Sequence, residues 1–217
     1  MSCAICEKRK EKRFCPAVHG RICAQCCGEQ REITLDCPSD CVYLQQARAH
    51  EKPRELSELD QSALFPEIEI SEQFLYERQQ LILGLSYALA RSARAGRSLR
   101  DANLAAALAA VARRYETFVK SGIHYDQAVT NPVQQAVVVE LQRMLQEYQQ
   151  TEQKHLGYIR VRDSEVLRAL VFLLRMGISR TSGRPRSRAF IEFLFAQFPE
   201  NNTPLIGSEA ASSIIVP

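Results

Sequence analysis

Residues 3–41 read CAICEKRKEKRFCPAVHGRICAQCCGEQREITLDCPSDC, and all eight cysteines of the chain lie in that stretch. They fall as Cys3-x2-Cys6, Cys15, Cys23-x2-Cys26-Cys27 and Cys37-x3-Cys41. Close thiolate pairs suit tetrahedral zinc, because each pair supplies half of a closed shell and the intervening loop lets two pairs converge. A disulfide framework is the competing reading. It needs an oxidising compartment, whereas the first residues carry Lys8, Arg9, Lys10, Lys12 and Arg13 and no apolar run that would act as an export signal. A redox role for Cys3-x2-Cys6 would want a strand ahead of it, and nothing strand-like precedes Cys3. The expectation is a thiolate metal module in a reducing cytoplasm.

Eight thiolates fill two four-ligand sites, so the expected cofactor is two Zn2+ ions. In a cross-brace, Cys3, Cys6, Cys23 and Cys26 share one ion and Cys15, Cys27, Cys37 and Cys41 the other. The adjacent Cys26 and Cys27 point in different directions, so one to each metal is sterically reasonable. Two alternatives stay open: His19 as a ligand in place of Cys26 or Cys27, and a tandem scheme in which sequential pairs share a metal. Both sites are closed by protein ligands, which leaves no position for a catalytic water.

The spacing from Cys3 to Cys41 resembles cross-brace zinc fingers of the RING, B-box and HIT types. The string from Cys26-Cys27-Gly28 to Cys37-Pro38-Ser39-Asp40-Cys41-Val42-Tyr43-Leu44 also looks like a group of bacterial proteins for which the resemblance implies no particular activity. What the zinc-finger resemblance implies is protein contact. The Cys26-Cys27 doublet and the lack of a central Cys-x-His depart from the RING pattern, so ubiquitin transfer is not carried over.

Charge argues against the module as a nucleic-acid reader. Residues 1–44 hold seven basic and six acidic side chains. Eight thiolates and two zinc ions take that balance to about −3, and phosphate contacts dominate nucleic-acid affinity. Lys8 to Arg13 therefore read as a solvated loop.

After residue 44 the composition changes. Residues 45–70 read as an acidic linker, with Glu51, Glu55, Glu58, Asp60, Glu67 and Glu69 interrupted by Pro53 and Pro66. Tyr43 to His50 fit a short helix closing the module. The alternating Phe65 to Ile70 read as an extended arm rather than a lone strand.

Residues 71–198 carry persistent helical periodicity and predict an all-α domain, a five-helix bundle. The first helix runs from an N-cap at Ser71 through Phe74, Leu81, Leu85 and Ala88 to Gly96. Ser98 caps the second, whose seam of Leu104, Leu108, Val111, Tyr115 and Phe118 is a candidate homodimer interface. The pair Asn131-Pro132 opens the third, with Val137, Leu141, Met144 and Tyr148 on one face and Gly157 beyond its end. The fourth starts at Asp163 or Ser164, is apolar almost all round from Val166 to Met176, and belongs at the centre. The fifth opens at Pro185, carries Phe190, Ile191, Phe193, Leu194, Phe195 and Phe198, and stops at Pro199. Residues 199–217 read as a tail without periodicity, and no apolar run approaches the roughly 20 residues that cross a bilayer.

Arg180, Arg184, Arg186 and Arg188 crowd one loop before the fifth helix, where arginine geometry and free helix amides suit anions. They are candidate phosphate or nucleic-acid contacts; pairing with the acidic linker is the alternative. No catalytic constellation emerges: His50, His124 and His155 are scattered, and no phosphate loop, nucleophile elbow or paired-histidine metal motif occurs. The reading is a non-enzymatic zinc-binding interaction protein on a helical scaffold, with a protein partner. The alternative is a nucleic-acid-associated regulator using the arginine loop.

Overall fold

The computed structural model describes residues 1–55, 57, 61–123 and 128–199. Glu58, Asp60, His124 and the expected tail beyond Pro199 lie outside the described residues. The described residues form a two-stranded hairpin and eight α-helices: β1 (Arg13–Cys15), β2 (Gly20–Ile22), α1 (Ala24–Gln30), α2 (Val42–His50), α3 (Glu72–Glu77), α4 (Gln79–Ala95), α5 (Asp101–Ser121), α6 (Pro132–Leu156), α7 (Asp163–Arg180) and α8 (Ala189–Gln197). No helix among them is long and apolar enough to cross a membrane.

Buried apolar side chains fall into two clusters. The small one holds Cys3, Cys15, Ile22, Cys23, Cys26, Cys27 and Leu35. The large one joins α3 to α8, with α7 at its centre. Val166, Leu167, Ala169, Leu170, Val171, Leu173 and Leu174 leave α7 buried on nearly every side, as its apolar circumference requires. Leu104, Leu108 and Val111 are also fully buried, with α5 packed on α6 and α7. Those seam positions offered as a dimer interface are therefore core of a single chain.

Six helices occupy residues 71–198, where the periodicity predicts five. Ser71 caps α3 as expected, its hydroxyl accepting from the Phe74 amide at 3.1 Å. The helix then breaks at Arg78. No glycine or proline marks that break; the Arg78 guanidinium instead reaches across to Glu165 at 2.8 Å. α5 starts at Asp101 rather than after Ser98, with the Asn103 side chain accepting from the Arg100 amide at 2.9 Å. α8 starts at Ala189, four residues after Pro185. Its true cap comes from another helix. Asp101, 3% exposed, accepts from the Phe190 and Ile191 amides at 3.2 and 3.1 Å and from the Ser187 hydroxyl at 2.8 Å. A carboxylate at a helix start satisfies orphan amides and complements the dipole.

The segment before α3 does not run extended throughout as expected: Phe65 sits at φ 52° and the chain turns at Pro66-Glu67, the Ile68 amide donating to the Phe65 carbonyl at 3.0 Å. Phe65 is buried, and the Arg175 guanidinium of α7 donates to the carbonyls of Leu64, Phe65 and Ile68. A 3-10 turn, Gln61–Leu64, precedes it.

The two clusters meet through polar contacts. Glu32, 1% exposed, accepts from the Arg48 guanidinium at 2.6 Å and the Ser182 hydroxyl at 2.9 Å. Its carbonyl takes the Arg186 amide at 2.8 Å. Arg48 also pairs with Glu192 of α8. Asp36 receives both bonds from one Arg100 nitrogen at 2.8 and 2.9 Å. The cysteine module is thus seated on the helices by charge-assisted bonds, which are shorter and stronger than neutral ones.

Candidate metal centre

The thiols of Cys3, Cys6, Cys23 and Cys26 lie within 4.8 Å of one another. Tetrahedral zinc with Zn–S bonds of about 2.3 Å sets its sulfurs about 3.8 Å apart, so the quartet matches the shell one ion requires. The local fold brings it together. Cys3 to Arg9 form a tight loop in which the Cys3 amide donates to the Arg9 carbonyl and the Glu7 amide to the Cys3 carbonyl, both at 2.8 Å. The β1–β2 hairpin pairs Arg13 with Ile22 and Cys15 with Gly20, delivering Cys23 beside Cys3. α1 then starts at once, so Cys26 lies one turn beyond Cys23. The Cys23 amide points at the Cys3 sulfur at 3.2 Å, and the Cys26 amide at the Cys23 sulfur at 3.4 Å. Backbone N–H groups aimed at sulfur favour thiolate.

The four thiols differ in their electrostatics. Burial alone would raise the Cys3 thiol, but the amides of Cys6, Cys23 and Ile5 outweigh it and bring it down to about 6. The Cys26 amide lowers Cys23. Cys26 is pushed up to about 12 by burial and by neighbouring sulfurs. Such a cluster cannot ionise fully by itself; a dication among the sulfurs would let all four do so. Arg9 supplies part of the compensation, its own protonation favoured by a bond to Cys23 and by the charges of Cys6, Cys23 and Cys26. The loop read as wholly solvated therefore carries one residue that serves the site, and basic composition alone did not distinguish Arg9 from its neighbours.

The remaining cysteines lie on β1, on α1, and at and before the start of α2. Cys15 ends β1, Cys27 is buried on α1, and Cys41 caps α2. Cys37 lies near two of them: burial raises its thiol, and the charges of Cys15, Cys41 and Glu32 push the same way against the Glu32 amide. The Cys27 sulfur receives the Arg31 guanidinium at 3.9 Å. These four do not close to the distance of the first quartet. His19 is exposed in the hairpin turn at φ 48°, and Cys26 belongs to the first quartet.

The arginine loop is divided in its roles. Arg184 donates to the Arg31 and Gly28 carbonyls at 2.8 and 3.4 Å, and Arg188 to the Arg97 carbonyl at 2.9 Å. Arg180 lies 3.8 Å over the Phe193 ring. Arg186 contributes its amide to Glu32, and its residue is exposed. Arg184 thus bridges to the cysteine module, a partner that linear distance concealed.

No protein-family model, no curated protein and no solved structure matches this chain.

Proposed function

We propose that this chain is a zinc-stabilised interaction protein: a cross-brace module holding two Zn2+ ions, mounted on a helical scaffold, that binds a protein partner. One observation carries the reading. The thiol quartet takes its members from the first and third cysteine pairs, Cys3/Cys6 and Cys23/Cys26, skipping Cys15 between them. That interleaving is the cross-brace order, and it leaves Cys15, Cys27, Cys37 and Cys41 for a second ion, with Cys15 and Cys41 close enough to Cys37 to act on its charge. Both shells are filled by protein ligands, which suits structure rather than catalysis.

The module also presents apolar surface. Phe14 and Val18 of the hairpin are 54% and 38% exposed, Ile33 44% and Val42 58%. Exposed apolar side chains on a small metal-held unit suit a protein contact. The nucleic-acid alternative is weaker, because Arg184 and Arg188 already serve backbone carbonyls within the chain.

Affinity capture with nuclease-treated extract tests the reading. A protein retained through a moderate salt wash by the parent chain, and lost with Phe14→Ser/Val18→Ser, supports it. Capture that disappears on nuclease treatment overturns it. Native mass spectrometry reports the metal count separately.

A further inference from the structure

A cleft of about 420 Å3 opens between the end of α2, the segment following it and the α7–α8 loop. We propose that this cleft binds a small phosphate-bearing anion. Five cationic side chains converge on it: Arg48, Lys52, Arg54, Arg180 and Arg184. They come from two stretches far apart in sequence, residues 48–54 and 180–184, so only the docking of the cysteine module on the helices assembles the set.

The fold uses two of these cations and leaves three. Arg48 is engaged by Glu32 and Glu192, and Arg184 by carbonyls of the cysteine module. Lys52, Arg54 and Arg180 enter no ion pair among the described residues. Arg54 is nevertheless held in place. Its amide donates to the Ser179 carbonyl at 2.9 Å, and its guanidinium lies against Gly183, where an added Cβ would come within 3.0 Å of it. Gly183 also sits at φ +72°, where side chains are disfavoured. The contact of Arg180 with Phe193 positions that group without neutralising it.

Charge balance then names the ligand class. The carboxylates on the cleft are Glu51 and Glu192. The C-terminal ends of α2 and α7 border it and contribute about half a negative charge each. Glu32, paired with Arg48, adds a third carboxylate, so an excess of about one positive charge remains to attract a phosphate group of about −1.5 to −2. The Ser179, Thr181 and Ser182 residues add polar groups beside the cations. Arginine supplies the paired donors that phosphate oxygens accept.

Shape favours a small molecule over a polymer. The volume sits near the lower end of small-ligand sites, about 300–1,000 Å3. Arg186 and Arg188, which would extend a track along the loop, do not line the cleft. Nucleic-acid grooves spread cations along a backbone path; here they line a single cleft.

The test is calorimetric titration of the full zinc-loaded chain with inorganic pyrophosphate at neutral pH and moderate salt. The expected result is saturable binding that falls about tenfold or more in Lys52→Gln/Arg54→Gln, with an unchanged melting temperature and unchanged binding in Arg186→Gln. Arg180→Gln, which leaves the Arg54 amide on the Ser179 carbonyl, must weaken binding in the same direction even if the double variant melts lower. No saturable binding overturns the proposal. So does an equal loss in Arg186→Gln, which would mean diffuse charge attraction, or binding of an oligonucleotide by a chain that ignores pyrophosphate.

Discussion

The carboxylate of Glu32 lies 2.6 Å from the guanidinium of Arg48, and through Ser182 and Glu192 this pair joins the cysteine module to the helices. Glu32 adopts φ 54°, a left-handed conformation that costs a non-glycine residue on the order of 1 kcal/mol, and its buried carboxylate is satisfied from both sides of the seam. Glu32→Ala should cost about 3 kcal/mol, because it leaves Arg48 and Ser182 without their shared acceptor. Chemical denaturation of Glu32→Ala, Arg48→Ala and the double variant checks it. A coupling energy below about 0.5 kcal/mol would show that the pair does not hold the seam.

Metal removal should separate the two clusters. Structural zinc contributes on the order of 10–16 kcal/mol to the folding of small thiolate modules, and the large cluster from α3 to α8 contains no cysteine. Strong chelation is expected to expose residues 1–50 to proteolysis while the helical circular-dichroism signal and a cooperative melt persist. Native mass spectrometry should lose one ion with Cys23→Ser and one with Cys37→Ser, whereas His19→Ala should retain both. A collapse of all helical signal on chelation would contradict the independence of the bundle.

Gly177 is one point at which α8 touches α7. An added Cβ there would lie 2.9 Å from the Phe190 ring, itself 1% exposed. Overpacking of this kind costs about 1–3 kcal/mol, against a helix-propensity gain of about 1 kcal/mol for replacing glycine. Gly177→Ala should therefore destabilise by up to about 2 kcal/mol, and Gly177→Ala/Phe190→Leu should recover part of the loss. A stabilised Gly177→Ala in thermal denaturation would show that the ring moves freely.

Glu165 gives the bundle an acid dependence. Burial would raise its carboxyl, but the Arg162 amide and the Arg78 guanidinium outweigh burial and hold it below the usual carboxylate range. A lowered folded-state pKa contributes stability that is fully present above the unfolded value of about 4.3 and disappears as pH falls through the folded value. The difference in stability between the parent chain and Glu165→Gln should then shrink on acidification below about pH 4. Urea denaturation at a series of pH values measures it, and a difference that stays constant would place the carboxylate's interaction elsewhere.

Much was legible in the linear order of residues. Cysteine spacing offered Cys3, Cys6, Cys23 and Cys26 as one group under the cross-brace scheme, beside a His19-containing set and a tandem order, because two-residue loops hold paired thiols close together. Periodicity placed α4 to α7, and the nearly complete apolar circumference of Val166 to Met176, broken by Arg168 and Arg175, placed α7 at the centre, because hydrophobic burial is local in pattern even when its partners are distant. Ser71, Asn131 and Gly157 marked helix ends because capping acts within one turn.

Tertiary structure alone decided what depends on through-space partners. The break at Arg78 and the start of α8 at Ala189 follow contacts with Glu165 and Asp101, which lie far away in sequence. Arg184 looked like an anion contact while its loop was read alone; the folded chain gives its guanidinium to the carbonyls of Gly28 and Arg31. Arg9 and Glu32 were indistinguishable from other charged residues until folding set one beside four sulfurs and the other between Arg48 and Ser182. The physical reason is one of range. Backbone propensity and amphipathic pattern act over a few residues and can be read along the chain, whereas a charge becomes structural or functional only through the groups that folding places within a few ångströms of it.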